Sequence, residues 1–309
     1  MSSSPAIVAS SLRKHFGAVR AVDGLSFEVY AGEIFGLVGP DGAGKTTALR
    51  MLAGVLAADS GSAQVAGCDV VRDPESAKSQ LSYMSQRFGL YEDLTVDENL
   101  RFYADLFGVT RQQRERRGQE LLAAAGLSDF RRRLAGNLSG GMKQKLGLMC
   151  ALIHTPKVLL LDEPTNGVDP VSRRDFWRIL YSLLGEGVAI LASTSYLDEA
   201  ERCHRVGLLH QGRLLFCDRP EELKRKFPGE ILAVHASQPG SARAALAGVE
   251  GVRSALLVGD HVHVFVDDAT RRLPEFCTHL DSVGVPYDSI QQVSPSIEDL
   301  FVSAVESGR

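Results

Sequence analysis

The sequence predicts an α/β fold whose core is a mixed, largely parallel β-sheet. Three short, nearly continuous apolar runs, each bounded by Gly, Asp or Ser, are typical of strands covered on both faces; they lie at residues 34–38, 158–161 and 188–192. Upstream, Leu25, Phe27 and Val29 alternate with polar residues, which indicates a half-exposed antiparallel strand and makes the predicted sheet mixed. From about residue 95 the periodicity becomes helical, which predicts a helical subdomain over about residues 95–150.

The order of predicted strands and helices changes after Pro220. This change predicts one domain over residues 1–220 and an accessory α+β module over residues 221–309. Gly259 and Asp260 suit a tight hairpin turn between two of its strands. His261 and His263 share one strand face, and we interpret that strand as exposed because no cysteine or carboxylate ligand is evident nearby. The order βαββαβ predicts a ferredoxin-like module, with strands at 231–235, 255–258, 261–266 and 287–291 and helices at 242–247 and 271–283.

Composition excludes several classes of protein. The chain has 34 basic and 38 acidic residues, and this balance argues against a broad nucleic-acid surface. No apolar run approaches the roughly 18 to 20 residues that cross a bilayer, and residues 1–11 do not resemble a secretory leader. The five cysteines form no C-x-x-C pair. These features predict a cytoplasmic protein without a structural metal.

A phosphate-binding loop is predicted directly after the strand at residues 34–38. The segment matches G-x-x-x-x-G-K-[ST] and precedes a helical run at 47–53. In this context backbone N–H groups surround phosphate oxygens, Lys45 bridges the outer phosphates and the Thr46 hydroxyl ligates Mg²⁺. The predicted nucleotide-binding residues here are Gly39, Pro40, Asp41, Gly42, Ala43, Gly44, Lys45, Thr46 and Thr47.

Two neighbouring carboxylates end the apolar strand at residues 158–161. Asp162 is expected near the phosphate loop, where it would hold Mg²⁺ directly or through water. Glu163 follows immediately and is our candidate for the general base that polarises the attacking water. Without the other motifs, an Asp-Glu pair after a strand would more often be a solvated end of that strand.

A second anion site is predicted where Leu138-Ser139-Gly140-Gly141-Met142 precedes a helix. Ser139 is a suitable N-cap, and the two glycines leave N–H groups of the first helical turn uncovered.

Taken together, these three motifs resemble the ABC ATPase family, and the resemblance covers about residues 6–220. It implies that Ser139 and Gly141 act on the nucleotide of a second ATPase domain, in a homodimer or heterodimer. It also implies that Phe16 stacks on adenine, that Gln86 senses Mg²⁺ and the membrane partner, and that Asp169 is a dimer contact.

Residues 88–100 resemble the branch of the family that serves ABC-2-type permeases, which includes drug and antibiotic exporters. The resemblance implies a subunit that powers export through ATP-driven dimerisation, peripheral at the inner face of the membrane. Ser195, however, stands where the family has a histidine, as in the first half of tandem two-ATPase subunits. A serine hydroxyl, unlike an imidazole, cannot become positively charged by protonation near neutral pH. We therefore expect slow ATP hydrolysis at this site.

Two alternatives stay open at the sequence level. A soluble ABC protein of translation or DNA repair would carry the same motifs, but the acidic balance counts against a nucleic-acid surface. A subunit that senses ATP without hydrolysing it is suggested by Ser195 and opposed by Lys45, Asp162 and Glu163.

Overall fold

The computed structural model describes residues 4–87 and 89–307. Phe88, which begins the predicted permease-facing segment, lies outside the described residues. The chain separates into two compact units with their boundary between Arg219 and Pro220.

The strands of both units are, in chain order, β1 Ile7–Phe16, β2 Val19–Val29, β3 Ile34–Val38, β4 Ser60–Val65, β5 Cys68–Asp69, β6 Leu81–Met84, β7 Val158–Asp162, β8 Ala189–Thr194, β9 Arg205–His210, β10 Arg213–Asp218, β11 Glu230–His235, β12 Val252–Val258, β13 His261–Val266 and β14 Ser289–Val293.

The helices are α1 Lys45–Leu52, α2 Pro74–Gln80, α3 Val96–Leu106, α4 Arg111–Ala125, α5 Gly140–Leu152, α6 Pro170–Leu184, α7 Leu197–Ala200, α8 Pro220–Arg225, α9 Pro239–Leu246, α10 Ala269–Ser282 and α11 Ile297–Ser307. Short 3-10 turns at Ser128–Phe130 and Ala135–Asn137 join α4 to α5.

The main sheet of the first unit has the strand order β10-β9-β3-β8-β7-β6. All neighbours in it are parallel except β10, which pairs antiparallel with β9. Every residue of β3, β7 and β8 is buried, which explains why these strands are nearly continuous apolar runs. The predicted mixed, largely parallel α/β sheet is therefore confirmed.

The prediction that the antiparallel strand at residues 25–29 joins this main sheet is wrong. Leu25, Phe27 and Val29 lie in β2, which belongs to a separate antiparallel sheet with the order β2-β1-β4-β5. The same three side chains are buried in the core that contains α1. A period of two shows that one strand face is covered, but it carries no information on which sheet the strand joins.

The expected helical region follows β6 and consists of α3, α4 and α5. Thr95 and Glu98 form a capping box at the start of α3. The buried Asn99 amide accepts a hydrogen bond from the Tyr91 N–H and donates to the carbonyls of Tyr91 and Leu94. These bonds satisfy the polar groups of the loop that precedes α3.

The second unit has the predicted ferredoxin-like order of elements. Its sheet, β12-β13-β11-β14, is antiparallel throughout, and α9 and α10 pack on one face of it. The sequence prediction missed α8 and α11. It was also wrong about β13, which is buried from Val262 to Val266, with His263 only 7% exposed.

Candidate active site

The loop between β3 and α1 folds tightly against its neighbours. Gly44 has a φ of +106°, and a Cβ there would overlap the carbonyl oxygen of Ala21. Glycine is therefore required both by the backbone conformation and by the close approach. Since α1 begins at Lys45, the N–H groups of its first turn point out of the helix beside this loop.

Lys45 is buried at the base of the loop, with 4% of its side chain exposed. Its ammonium donates to the carbonyl oxygens of Gly39 at 2.8 Å and Pro40 at 3.1 Å. The same nitrogen lies 3.1 Å from a carboxylate oxygen of Glu163. A buried cation is thus held by three oxygens, as burial of a charge requires.

Asp162 is the centre of a cluster of side-chain oxygens at the end of β7. Its Oδ1 accepts hydrogen bonds from Thr46 Oγ1 at 2.9 Å and from Ser193 Oγ at 2.8 Å. Tyr83 donates to Oδ2 at 3.2 Å, and burial together with the Asp162 charge raises the pKa of Tyr83 to about 12. Oxygen donors of this kind suit a small, hard divalent cation.

Glu163 has a strained backbone with a φ of +48°. Its N–H donates to the carbonyl oxygen of Ser193 at 3.2 Å and to the Ser193 hydroxyl at 3.0 Å. Its Oε2 accepts hydrogen bonds from Gln86 Nε2 and Asn166 Nδ2, both at 3.2 Å. Such a conformation in a residue other than glycine costs roughly 1–3 kcal/mol and is common at functional sites.

An open cleft of about 500 Å³ brings the phosphate-loop residues together with Glu163. Phe16, half exposed, lines the same cleft, as does Gln86. Its lining residues are Phe16, Val19, Ala21, Asp41, Gly42, Ala43, Gly44, Lys45, Thr46, Thr47, Gln86, Glu163 and Asn166. An aromatic face, backbone donors, a cation and a carboxylate thus converge on one space, which suits a nucleotide.

The residues at the start of α5 form a separate group. Ser139 caps the helix by accepting from the Met142 N–H at 3.3 Å. Asp169 caps α6, and the backbone N–H of Ser172 is the main cause that lowers the pKa of its carboxyl. A Cβ on Gly141 would overlap the Ser172 side chain. Ser139, Gly140, Gly141 and Asp169 are absent from the lining of the cleft described above.

Ser195 follows β8 and is half buried. It too is absent from the residues that line the cleft, although Ser193 on the same segment contacts Asp162 and Glu163.

Sequence reasoning missed Glu199, which is 1% exposed. Its carboxylate accepts hydrogen bonds from Thr165 at 2.7 Å, Trp177 at 3.2 Å and Thr194 at 2.8 Å. Arg173 Nε lies 3.6 Å away. The carboxylate therefore joins the segment after Glu163 to α6 and to the end of β8. No local pattern indicates this role, because a glutamate in a short polar run is typical of a solvated surface.

Comparison with known proteins identifies the family. The chain is 35% identical over 302 residues to the daunorubicin resistance ATP-binding protein DrrA2 of Streptomyces coeruleorubidus, covering 96% of this chain and 94% of that protein. The chain belongs to the family of ABC transporter ATP-binding proteins. The ABC transporter family model matches residues 22–166, and the model of the C-terminal domain of DrrA1-3-like ATP-binding proteins matches residues 219–305.

Other relatives agree with this assignment. The probable multidrug ABC transporter ATP-binding protein YbhF of Escherichia coli (strain K12) is 45% identical over 301 residues, which cover 96% of this chain. The chain spans about half of that protein, 51% of its length. A solved ATP-binding subunit of an ABC transporter superposes with a TM-score of 0.66 at 30% identity, covering 72% of this chain and 92% of that one. Among the described residues, no helix is long and apolar enough to span a bilayer.

Proposed function

We propose that this ABC transporter ATP-binding protein hydrolyses ATP to drive an exporter. It binds ATP with Mg²⁺, pairs with a second ATPase domain, and docks on a membrane-spanning ABC-2-type permease at the inner face of the membrane. The observation that carries the proposal is the position of the Glu163 carboxylate, which lines the cleft beside the Lys45 ammonium and the Gln86 amide. The match of residues 219–305 to a C-terminal domain of DrrA-like proteins supports the exporter branch.

The residues of the cleft fit both ligands. Thr46 Oγ1 and Asp162 Oδ1, 2.9 Å apart, are oxygen ligands of the type that Mg²⁺ prefers. Bound there, Mg²⁺ would neutralise charge on the phosphate oxygens. The N–H groups at the start of α1 and the Lys45 ammonium supply the donors for the phosphates, while the exposed ring of Phe16 offers a face for adenine.

Glu163 is the general base in this proposal. Gln86 and Asn166 donate to one of its oxygens, so that the carboxylate is held in a fixed orientation. The other oxygen lies against Lys45, whose charge is also required by the outer phosphates. When a phosphate engages Lys45, that oxygen becomes available to accept a proton from the attacking water. A positioned base of this kind typically accelerates a reaction by about 10² to 10⁴-fold.

Our proposal of a second ATPase domain is supported by two predicted nucleotide-binding residues that lie outside the cleft. Ser139 and Gly141 lie at a helix N-terminus that is suited to an anion, yet they do not line the cleft of their own chain. We therefore assign them, with Asp169, to the nucleotide of the partner domain.

Ser195 supports a variant of this function in which the chain binds ATP but hydrolyses it slowly. The partner domain would then provide the faster site, completed by Ser139 of this chain. A soluble protein of translation or DNA repair is disfavoured by the formal charge of −4 and by the DrrA-like second unit.

The test is purification of the full chain from membranes of its host, followed by identification of its partners. We expect a membrane-spanning permease and a second ATPase domain to co-purify, and we expect phosphate release by the isolated chain to fall at least about 100-fold in Glu163→Gln. Glu75→Gln changes an exposed glutamate on α2 and is the matched control. Recovery of ribosomes or nucleic acid in place of a permease would contradict the proposal.

A further inference from the structure

Three histidines of the second unit lie on one face of its sheet. His235 on β11 is the direct partner of His261 on β13, and His263 follows two residues later. Because side chains alternate along a strand, all three project from the same face. The Nε2 atoms of His261 and His263 are only 3.1 Å apart.

A buried carboxylate, that of Asp299, determines which ring nitrogen of His263 carries the hydrogen. Asp299 is fully buried and its Oδ1 lies 2.8 Å from His263 Nδ1, while Oδ2 accepts from the N–H and the hydroxyl of Ser296. Since an ionised carboxylate only accepts hydrogen bonds, Nδ1 of His263 carries the hydrogen. Nε2 of a neutral His263 then presents a lone pair.

His261 has the same arrangement at the surface. Its Nδ1 lies 3.0 Å from Asp260 Oδ1, so the hydrogen is again on Nδ1 and the lone pair on Nε2. Two ring nitrogens therefore face each other across 3.1 Å. At this distance they can share a proton if one ring is charged, or both can bind one metal ion when the rings are neutral.

We propose that His261 and His263 bind a divalent transition-metal ion, such as Zn²⁺, through their Nε2 atoms. Two Zn–N bonds of about 2.0–2.1 Å at a tetrahedral angle separate the nitrogens by about 3.3 Å, close to the distance seen here. His235 stacks on His261, with 4.7 Å between the two ring centroids.

The surroundings resemble those of protein zinc sites. A metal-bound histidine usually donates its other N–H to a carboxylate, as His263 does to Asp299 and His261 to Asp260. Imidazole ligands favour Zn²⁺, Cu²⁺ or Ni²⁺ over Mg²⁺, which distinguishes this site from the oxygen ligands at Asp162. Because Asp299 is in α11, metal binding also stabilises the position of that helix on the sheet.

The experiment uses the full chain stripped of metal with a chelator, without nucleotide and with excess Mg²⁺ to occupy oxygen sites. Zn²⁺ is titrated near neutral pH in competition with a chromophoric chelator. We expect one Zn²⁺ per chain and an affinity at least about 10-fold weaker in His261→Ala. His15→Ala is the matched control, since it removes another histidine paired with a carboxylate, Asp59, from the first unit. Unchanged affinity in His261→Ala, or no Zn²⁺ binding by the unaltered chain, overturns the proposal.

A second measurement requires no substitution. In the chain isotopically labelled on its eight histidines, Zn²⁺ is expected to shift the ring-nitrogen resonances of His261 and His263 and to leave the five histidines outside this sheet face unchanged. Shifts confined to other histidines would show that the bound ion is held elsewhere.

Discussion

The Lys45 ammonium lies 3.1 Å from the Glu163 carboxylate, and 4% and 9% of the two side chains are exposed. Each charge therefore compensates the other inside the cleft. A buried pair of this kind contributes little net stability, but removal of either member leaves the other poorly compensated. The pair thus holds Glu163, our proposed general base, beside Lys45, which we propose binds the outer phosphates.

Replacement of Lys45 by alanine is expected to abolish tight ATP binding, because it removes the side-chain cation beside the outer phosphates. Calorimetric titration of ATP measures this. Lys78→Ala removes an exposed lysine of α2 and serves as the control. An unchanged affinity in Lys45→Ala would exclude this assignment.

Glu163→Gln is expected to trap a dimer with bound nucleotide. The substitution removes the base but keeps the size of the side chain and one acceptor oxygen, which can serve either Lys45 or Gln86. Size-exclusion chromatography with ATP detects the dimer, and phosphate release detects the loss of turnover. A variant that stays monomeric and hydrolyses ATP normally would contradict the role of Glu163.

Ser195→His is expected to raise the turnover of the isolated chain, since it restores an imidazole at the position where the family has a histidine. A positioning or acid-base group is worth about 10² to 10⁴-fold, and a reintroduced one is expected to recover part of this. Steady-state phosphate release is compared for the unaltered chain, Ser195→His and Ser195→Ala. Fast hydrolysis by the unaltered chain, with no gain from histidine, would make Ser195 an adequate substitute.

Glu199→Ala is expected to lower the free energy of unfolding by about 3–5 kcal/mol, because it leaves buried donors and Arg173 without their acceptor. Glu199→Gln should cost less, since it keeps one acceptor oxygen. Urea denaturation measures both. Asp198→Asn alters a neighbouring carboxylate with 66% of its side chain exposed, and it should be neutral. Equal stability of all three variants would show that the contacts of Glu199 are energetically unimportant.

Deletion of the chain after Pro220 is expected to leave ATP binding largely intact. The residues that line the cleft all precede this point, and the boundary between the two compact units lies there. The truncated chain is tested for cooperative thermal unfolding and for ATP affinity. A folded truncation that no longer binds ATP would disprove the predicted domain boundary.

Local patterns were sufficient to predict the α/β fold and the context of the phosphate loop. The strand β3, the loop and α1 are adjacent in sequence, so hydrophobic periodicity and glycine spacing describe them completely. The pattern also predicts Asp162 near the loop, because this carboxylate ends an apolar strand. The roles of Phe16, Gln86 and Asp169 rest on resemblance and stay predictions.

Contacts between distant segments could not be predicted. Asp299 reaches His263 across 36 positions of sequence, so the pattern of β13 alone suggested an exposed strand. Glu199 is similar, because its partners Thr165 and Trp177 lie on other elements. In both cases a polar residue is buried by tertiary packing that satisfies its hydrogen bonds, and no local periodicity records that packing.

The absence of a side chain at Gly141 has a steric consequence. Since Ser172 occupies the space that a Cβ would need, the first turn of α5 lies in direct contact with the first turn of α6. Any larger residue at position 141 would have to displace Ser172, so the close approach of the two helix starts depends on this glycine.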